Sequence, residues 1–522
     1  MNILKLGLAL GLAVITGGCA HKTPFTDGTK DNPFCHFKRY PLNLDHRNGT
    51  TEADQNIKSL SAVLTDGFTS ETDRQIPKDE MLFLSGGSLN GAFGAGVLAG
   101  WSERRGCPKM TTDTDPEQTG CLPDFSVVTG VSTGAILSLA AFTNTPQSAL
   151  AAYTMEDETE AILPFVRLNK KGKLSEMSYV TALRKGALAD ISPLQESVYS
   201  AAAKYGFFSA IAKRGEEGRL LLTGVVDVDT GEAVALDMTA MAGVITKRVY
   251  LEDKFEFRES ETIADLKKRS PDIGHYVDCF TRAITASSSV PLAARPVAID
   301  NRLYVDGGAR FLVFGDVLGP IIDPEVKFTA VKDDGESDDP LDVFMIINGD
   351  QTITPKCAKK TCSGDLTGDE YWTIHGARDD WNVLGLVERT VDVLKTQVGE
   401  FSESEIRIQA LRRVLQKEGI DIDETPAFSG VKSSAALHNF TAMQQTFIDT
   451  SFSNAFEGYN LHSIKIEPET IETEYGEGPD RKSCIKWREY DLVTDRNLQF
   501  HVNYMKCMIE AGREDILNKG WK

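Results

Sequence analysis

The chain has 522 residues, 41% of them hydrophobic, nine cysteines and a formal net charge of −20. That much apolar material can bury a large core, and the length admits two or three domains. The acid excess argues against a nucleic-acid partner and repels an anionic membrane surface, so attraction to lipid has to be apolar or covalent.

Leu4 to Ile15 is a short apolar run containing Lys5 and followed by Thr16-Gly17-Gly18-Cys19. It is too short to span a bilayer and ends in small residues ahead of a cysteine. The stretch resembles a bacterial lipoprotein signal. That implies a signal peptide over 1–18, lipidation at Cys19, and an exported protein anchored by acyl chains; Ala20 points to the outer membrane, facing the periplasm. An ordinary secretory signal is the other reading. Residues 19–78 are polar, broken by Pro24, Pro33 and Pro41, with a helix expected near Ile57 to Leu64, and read as a tether.

Setting Cys19 aside leaves eight cysteines, an even number that suits disulfides in an exported chain. Proximity pairs Cys107 with Cys121, Cys357 with Cys362 and Cys484 with Cys507, leaving Cys35 for Cys279, although connectivity is not fixed by sequence. No Cys/His group has metal-ligand spacing, and no cofactor is expected.

Ordered structure is expected from Met81-Leu82-Phe83-Leu84, an apolar strand that runs into Ser85-Gly86-Gly87-Ser88-Leu89-Asn90-Gly91 and then a helix with Phe93, Val97 and Trp101 on one face. A glycine loop between strand and helix points several N–H groups at one place, which suits a phosphate or the oxyanion of acyl transfer. The dinucleotide fingerprint is absent. A polar loop, Gly106 to Pro123, leads to a buried strand at Phe125 to Thr129 and the turn Gly130-Val131-Ser132-Thr133-Gly134 before another helix. This has the form of a nucleophile elbow, with Ser132 held at a helix N-terminus; a plain small-residue turn is the bland alternative. Strand, loop, helix, strand form a right-handed crossover, so both strands run parallel and both loops lie at one sheet edge.

Thr143 to Glu217 reads as helical, with a helix start at Ser192-Pro193. Leu220 to Asp227 and Ala233 to Met238 read as a hairpin, and His275 to Ser289 as a helix stopping at Pro291. Arg302 to Val305 is a strand ending in Asp306-Gly307-Gly308, where Asp306 is placed for chemistry or for a turn. Leu341 to Asn348 is a further core strand. Helical patterns cover Trp381 to Gln416 and Ser433 to Phe456, followed by a strand at His462 to Ile466 and a helix at His501 to Ala511.

Together the glycine loop, the elbow and Asp306-Gly307-Gly308 resemble the patatin-like phospholipase family. The resemblance spans about Met81 to Asn348, and the ending Tyr504 to Gly512 is faintly similar to a closing helix of the family. It implies a three-layer α/β/α fold with a mainly parallel central sheet, a catalytic core over 79–350, and a mostly helical C-terminal extension over 351–522 packed on it. It also implies hydrolysis of lipid acyl esters, with Ser132 as nucleophile and Asp306 as its partner. Gly86, Gly87 and Ser88 supply the oxyanion hole, and Gly91, Gly130, Gly134, Gly307 and Gly308 support the motifs. Ser88 stands where the family pattern has a third glycine, and Asn90 where it often has a basic residue. An aspartate is ordinarily a weak base towards a hydroxyl, so the dyad needs a buried carboxylate, a helix dipole and oxyanion donors acting together. Two other readings stay open: a Ser-Asp-His esterase using His375, His438, His462 or His501, and a lipid-anchored binding protein with a decayed site.

Overall fold

The computed structural model of the chain describes residues 27, 33–42, 58–68, 76–77, 79–166, 176–314, 341–349, 398, 459–475, 481–494, 497 and 499–521. Nine strands share one sheet: β1 (Arg39–Pro41), β2 (Met81–Leu84), β3 (Val127–Val131), β4 (Leu220–Asp227), β5 (Ala233–Asp237), β6 (Val297–Ile299), β7 (Arg302–Asp306), β8 (Leu341–Ile347) and β9 (Tyr459–Lys465). Their order is β1-β5-β4-β3-β2-β8-β9, with β7 also paired to β4 and β6 to β7. The five strands from β9 to β4 run parallel. The other four pair antiparallel.

The continuous apolar runs of the central strands follow from burial on both faces. In β2, Leu82 and Leu84 join one core while Met81 and Phe83 join the other, the alternation that a strand imposes. The larger core packs helices α2 (Gly91–Arg104), α3 (Thr133–Thr143), α4 (Ser192–Lys204), α5 (Pro271–Ser287) and α7 (Val502–Asn518) against one face. On the other face α1 (Leu60–Phe68) buries Leu60, Leu64 and Phe68 beside Phe311 and Phe314. The result is a mostly parallel sheet flanked by helices, the three-layer α/β/α arrangement.

The sequence-predicted elements from Met81 to Ile347 fall within a few residues of their observed bounds, except that β6 and the helices Met238–Leu251 and Ile263–Arg269 carried no distinct signal. Within residues 19–78, read as a tether, residues 33–42 and 58–68 carry ordered structure. β1 adds an edge strand to β5, Cys35 is bonded to Cys279, and the Asp300 carboxylate accepts the N–H groups of Cys35 at 2.6 Å and Phe37 at 3.0 Å. Three residues of edge strand leave no periodicity to detect, and the partners lie far along the chain. In the C-terminal region, read as a mostly helical extension packed on the core, β9 extends the sheet beside β8. Cysteine pairs 35–279, 107–121 and 484–507 are at bonding distance as expected. Cys357, Cys362 and the helical patterns over 381–416 and 433–456 lie outside the described residues, apart from residue 398. Among the described residues no helix is long and apolar enough to cross a membrane.

Candidate active site

β3 is buried at every position and ends one residue before Ser132, from which α3 departs. Ser132 has φ 55° and ψ −123°, a conformation that costs a residue bearing a Cβ about 1–3 kcal/mol and persists only where its surroundings impose it. Gly130 and Gly134 impose it here. A Cβ on Gly130 would collide with the Gly134 carbonyl, and one on Gly134 with the Leu84 carbonyl, so the elbow packs backbone against backbone. The Ser132 N–H donates to Ser287 Oγ at 2.9 Å, and that hydroxyl donates to the Gly224 carbonyl at 2.6 Å. Ser132 itself is 8% exposed and sits at the positive end of α3.

Strand register brings Asp306 to the same place. On β4, Gly224 pairs with Val131, the last residue of β3, and the next residue, Val225, pairs with Asp306. The opposite flank of β4 is occupied by β5 over Leu222 to Val226. β3 and β7 therefore share one flank end to end, and Ser132 and Asp306 stand where they meet. Asp306 is 3% exposed; its Oδ1 accepts the Gly308 N–H at 2.7 Å, and its N–H donates to the Ser289 carbonyl at 3.0 Å. The short stretch Ser287 to Ser289 thus braces both the elbow and the aspartate.

The glycine loop closes the site from the β2 side. A Cβ built on Gly86 would lie 3.3 Å from Ser132 Cβ, so the loop backbone passes directly over the serine. Ser85 is locked to the end of β8: Asn348 donates its N–H to Ser85 Oγ at 2.7 Å and its side-chain amide to the Ser85 carbonyl at 3.0 Å. Of the three expected donors, Gly86 gives its N–H to the Leu312 carbonyl at 3.3 Å. Gly87 and Ser88 lead into the 3-10 turn Ser88–Asn90, where the first N–H groups have no acceptor within the helix. Ser88 has φ 55°, the left-handed conformation that a glycine adopts freely. The departure from the family pattern at Ser88 is thus a strained residue in a glycine's conformation.

An apolar cavity of about 420 Å³ opens from Ser88 and Ser132, lined by Ile136 and Leu139 on α3, Leu194 and Val198 on α4, Met155 and Phe500 among others. That volume lies within the ordinary range for ligand pockets, about 300–1,000 Å³.

Of the residues named from sequence, the fold brings Ser132, Asp306 and the glycine loop together. Sequence reading missed Ser287, Leu312 and Asn348, which brace the site from short stretches without a motif. It also missed Gln499, whose amide reaches Ser88 across 411 residues of sequence; no local pattern marks such a contact. Of the candidate histidines, His462 lies on β9 and bonds Asp342 at 2.8 Å, and His501 caps α7. His375 and His438 lie outside the described residues.

A strained serine at a strand-to-helix elbow, beside a buried aspartate and beneath a glycine loop, is the build of the α/β enzymes that use an elbow nucleophile. Residues 82–313 match the family model described as Patatin-like phospholipase, a family of lipid acyl hydrolases. A comparison with curated proteins gave no match.

Proposed function

We propose that this protein is a serine hydrolase that cleaves lipid acyl esters through a Ser132–Asp306 dyad. The observation that carries the reading is the strand register: consecutive residues of β4 pair with the elbow strand and with Asp306. Ser132 Oγ attacks the ester carbonyl carbon while Asp306 takes the hydroxyl proton. The carbonyl oxygen becomes an oxyanion held by the N–H groups of Gly87 and Ser88 and by the N-terminal field of α3. Collapse breaks the bond to the alcohol, which leaves with the proton from Asp306; water then attacks the acyl-serine and returns the free acid. The apolar cavity beside Ser132 suits an acyl chain.

Purified protein assayed on chromogenic esters and mixed phospholipids, beside Ser132→Ala and Asp306→Asn, tests this reading. Both variants fold and lose nearly all activity, and a fluorophosphonate labels Ser132 alone; an active Asp306→Asn variant rejects the dyad. The same proposal extends to location. Cys19 is read as the lipidated first residue of an outer-membrane lipoprotein facing the periplasm, on the strength of Thr16-Gly17-Gly18-Cys19. An intact mass with an unmodified Cys19 rejects the anchor.

A further inference from the structure

Two residues of the glycine loop, Ser88 and Asn90, are held by one stretch of the C-terminal region. Gln499 donates from Nε2 to Ser88 Oγ at 2.5 Å. The Tyr504 hydroxyl donates to Asn90 Oδ1 at 2.8 Å. Neither partner falls within the family match, which ends at residue 313. We infer that the segment Gln499–Tyr504 is a positioning element of the oxyanion hole, with Gln499 fixing the Ser88 N–H and Tyr504 fixing the turn behind it. The inference rests on the reading of Ser132 as nucleophile.

With Gly86 committed to the Leu312 carbonyl, the developing oxyanion depends on Gly87 and Ser88. The direction of an N–H is set by the dihedrals around it, and Ser88 occupies a left-handed conformation that a residue with a Cβ leaves readily unless held. A glycine there would need no such hold. The Gln499 bond supplies one, pinning the Ser88 side chain and with it the residue. Gln499 is itself anchored, since its N–H donates to the buried Glu158 carboxylate at 3.2 Å.

The rest of the segment is equally fixed. Asp491 on α6 (Cys484–Thr494) accepts the Tyr504 N–H at 2.9 Å and the Asn503 amide at 2.7 Å. The Cys484–Cys507 disulfide ties α6 to α7. α7 in turn lies on α2, the helix that opens from the glycine loop: a Cβ on Gly512 would strike the Phe93 carbonyl. The glycine loop and the segment thus sit together at the N-terminal end of one packed helix pair, and small displacements of a donor are costly because the oxyanion must meet it at hydrogen-bond distance.

The test is kinetic, on the full-length protein with a short-chain chromogenic ester. Gln499→Ala lowers kcat about tenfold while KM stays within about twofold, because the lost contact acts on the transition state. The rate of fluorophosphonate inactivation falls by the same factor, since the phosphonyl oxygen uses the same donors. Tyr504→Phe lowers kcat in the same direction and serves if Gln499→Ala folds poorly by thermal melt. The decisive comparison is the Ser88→Gly background, where Gln499→Ala changes kcat less than about twofold whatever the absolute rate of that background. An undiminished effect of Gln499→Ala in Ser88→Gly overturns the inference, because Gln499 then acts through the fold or the pocket wall. Full kcat in Gln499→Ala, with Ser132→Ala inactive, overturns it and leaves the hydrolase reading intact. Activity retained by Ser132→Ala removes the hydrolase reading and the inference with it.

Discussion

The N–H of Ser132 donates to the hydroxyl of Ser287 at 2.9 Å, and the same hydroxyl donates to the Gly224 carbonyl at 2.6 Å. One buried side chain therefore ties the strained elbow to the last turn of α5 and to the strand that separates β3 from β5. Removing it leaves a buried N–H and a buried carbonyl short of a partner. Ser287→Ala is expected to cost about 1–3 kcal/mol of stability, the price of unsatisfied buried groups, and to lower kcat about tenfold by loosening the nucleophile. Denaturant melts and steady-state kinetics check both; a variant equal to the parent in kcat makes the bond incidental to the elbow.

Gly87 tests the loop rather than the elbow. A Cβ there would stand 2.5 Å from the Asn348 carbonyl oxygen, and Asn348 is fully buried and bonded twice to Ser85. The backbone has to shift, carrying the proposed oxyanion donor with it. Gly87→Ala should lower kcat by about a hundredfold, the scale of losing one donor. Gly243→Ala, on a helix with open space around the position, is the control and should keep full activity. Similar kinetics for the two variants would show that the loop backbone tolerates displacement.

How far the sequence carried can be read from these residues. Gly130, Ser132 and Gly134 were legible because a strained turn requires glycines at fixed offsets, and Asp306 because it ends an apolar strand before two more glycines. The parallel order of β2 and β3 followed from crossover handedness. Ser287, Asn348 and Gln499 were not legible. Each acts through one hydrogen bond made across the fold, and a lone serine, asparagine or glutamine carries no periodicity. β1 and the Asp300 clamp escaped for the same reason: part of what holds residues 33–42 is a carboxylate more than 260 residues away.

The Cys35–Cys279 bond should dominate the stability of that N-terminal segment. It spans 244 residues, and the chain-entropy model assigns a closed loop of this size on the order of 5 kcal/mol. Replacing both cysteines by serine should lower stability by about 2–5 kcal/mol in urea unfolding. Ester hydrolysis by the folded fraction should persist, because Cys279 precedes Ser287 by eight residues, about 12 Å along α5. An unchanged unfolding midpoint would mean that Asp300 alone secures the strap.

His275 gives the protein an acid-sensitive point. Burial lowers its pKa below the ordinary imidazole value, helped by the Arg282 and Lys267 charges and opposed by the Phe34 carbonyl and Asp278. The unfolded chain therefore takes up the proton more readily than the folded one. The contribution to stability is complete above about pH 6.5, the unperturbed value, and is lost as the pH falls below it. His275→Gln should flatten the decline in Tm between pH 7 and pH 5. Parallel curves for parent and variant would assign the acid response to other groups.

A histidine-assisted triad makes the sharpest contrast with the dyad. His275 lies twelve residues before Ser287, about 18 Å along α5 from the elbow's brace. His462 sits opposite Phe344, level with Leu82 and Val128. That is four residues short of Ser132 along β3, about 13 Å, and three strands away. His501 follows Phe500, a residue lining the cavity, and is buried where it caps α7. His275→Gln, His462→Gln and His501→Gln should each keep kcat/KM within several-fold of the parent, and the pH profile of kcat/KM should lack an imidazole titration near about 6.5. His375→Gln and His438→Gln complete the set. A loss of about a thousandfold in any one folded variant, the scale of removing a general base, would replace Asp306 as the proton acceptor and favour the triad.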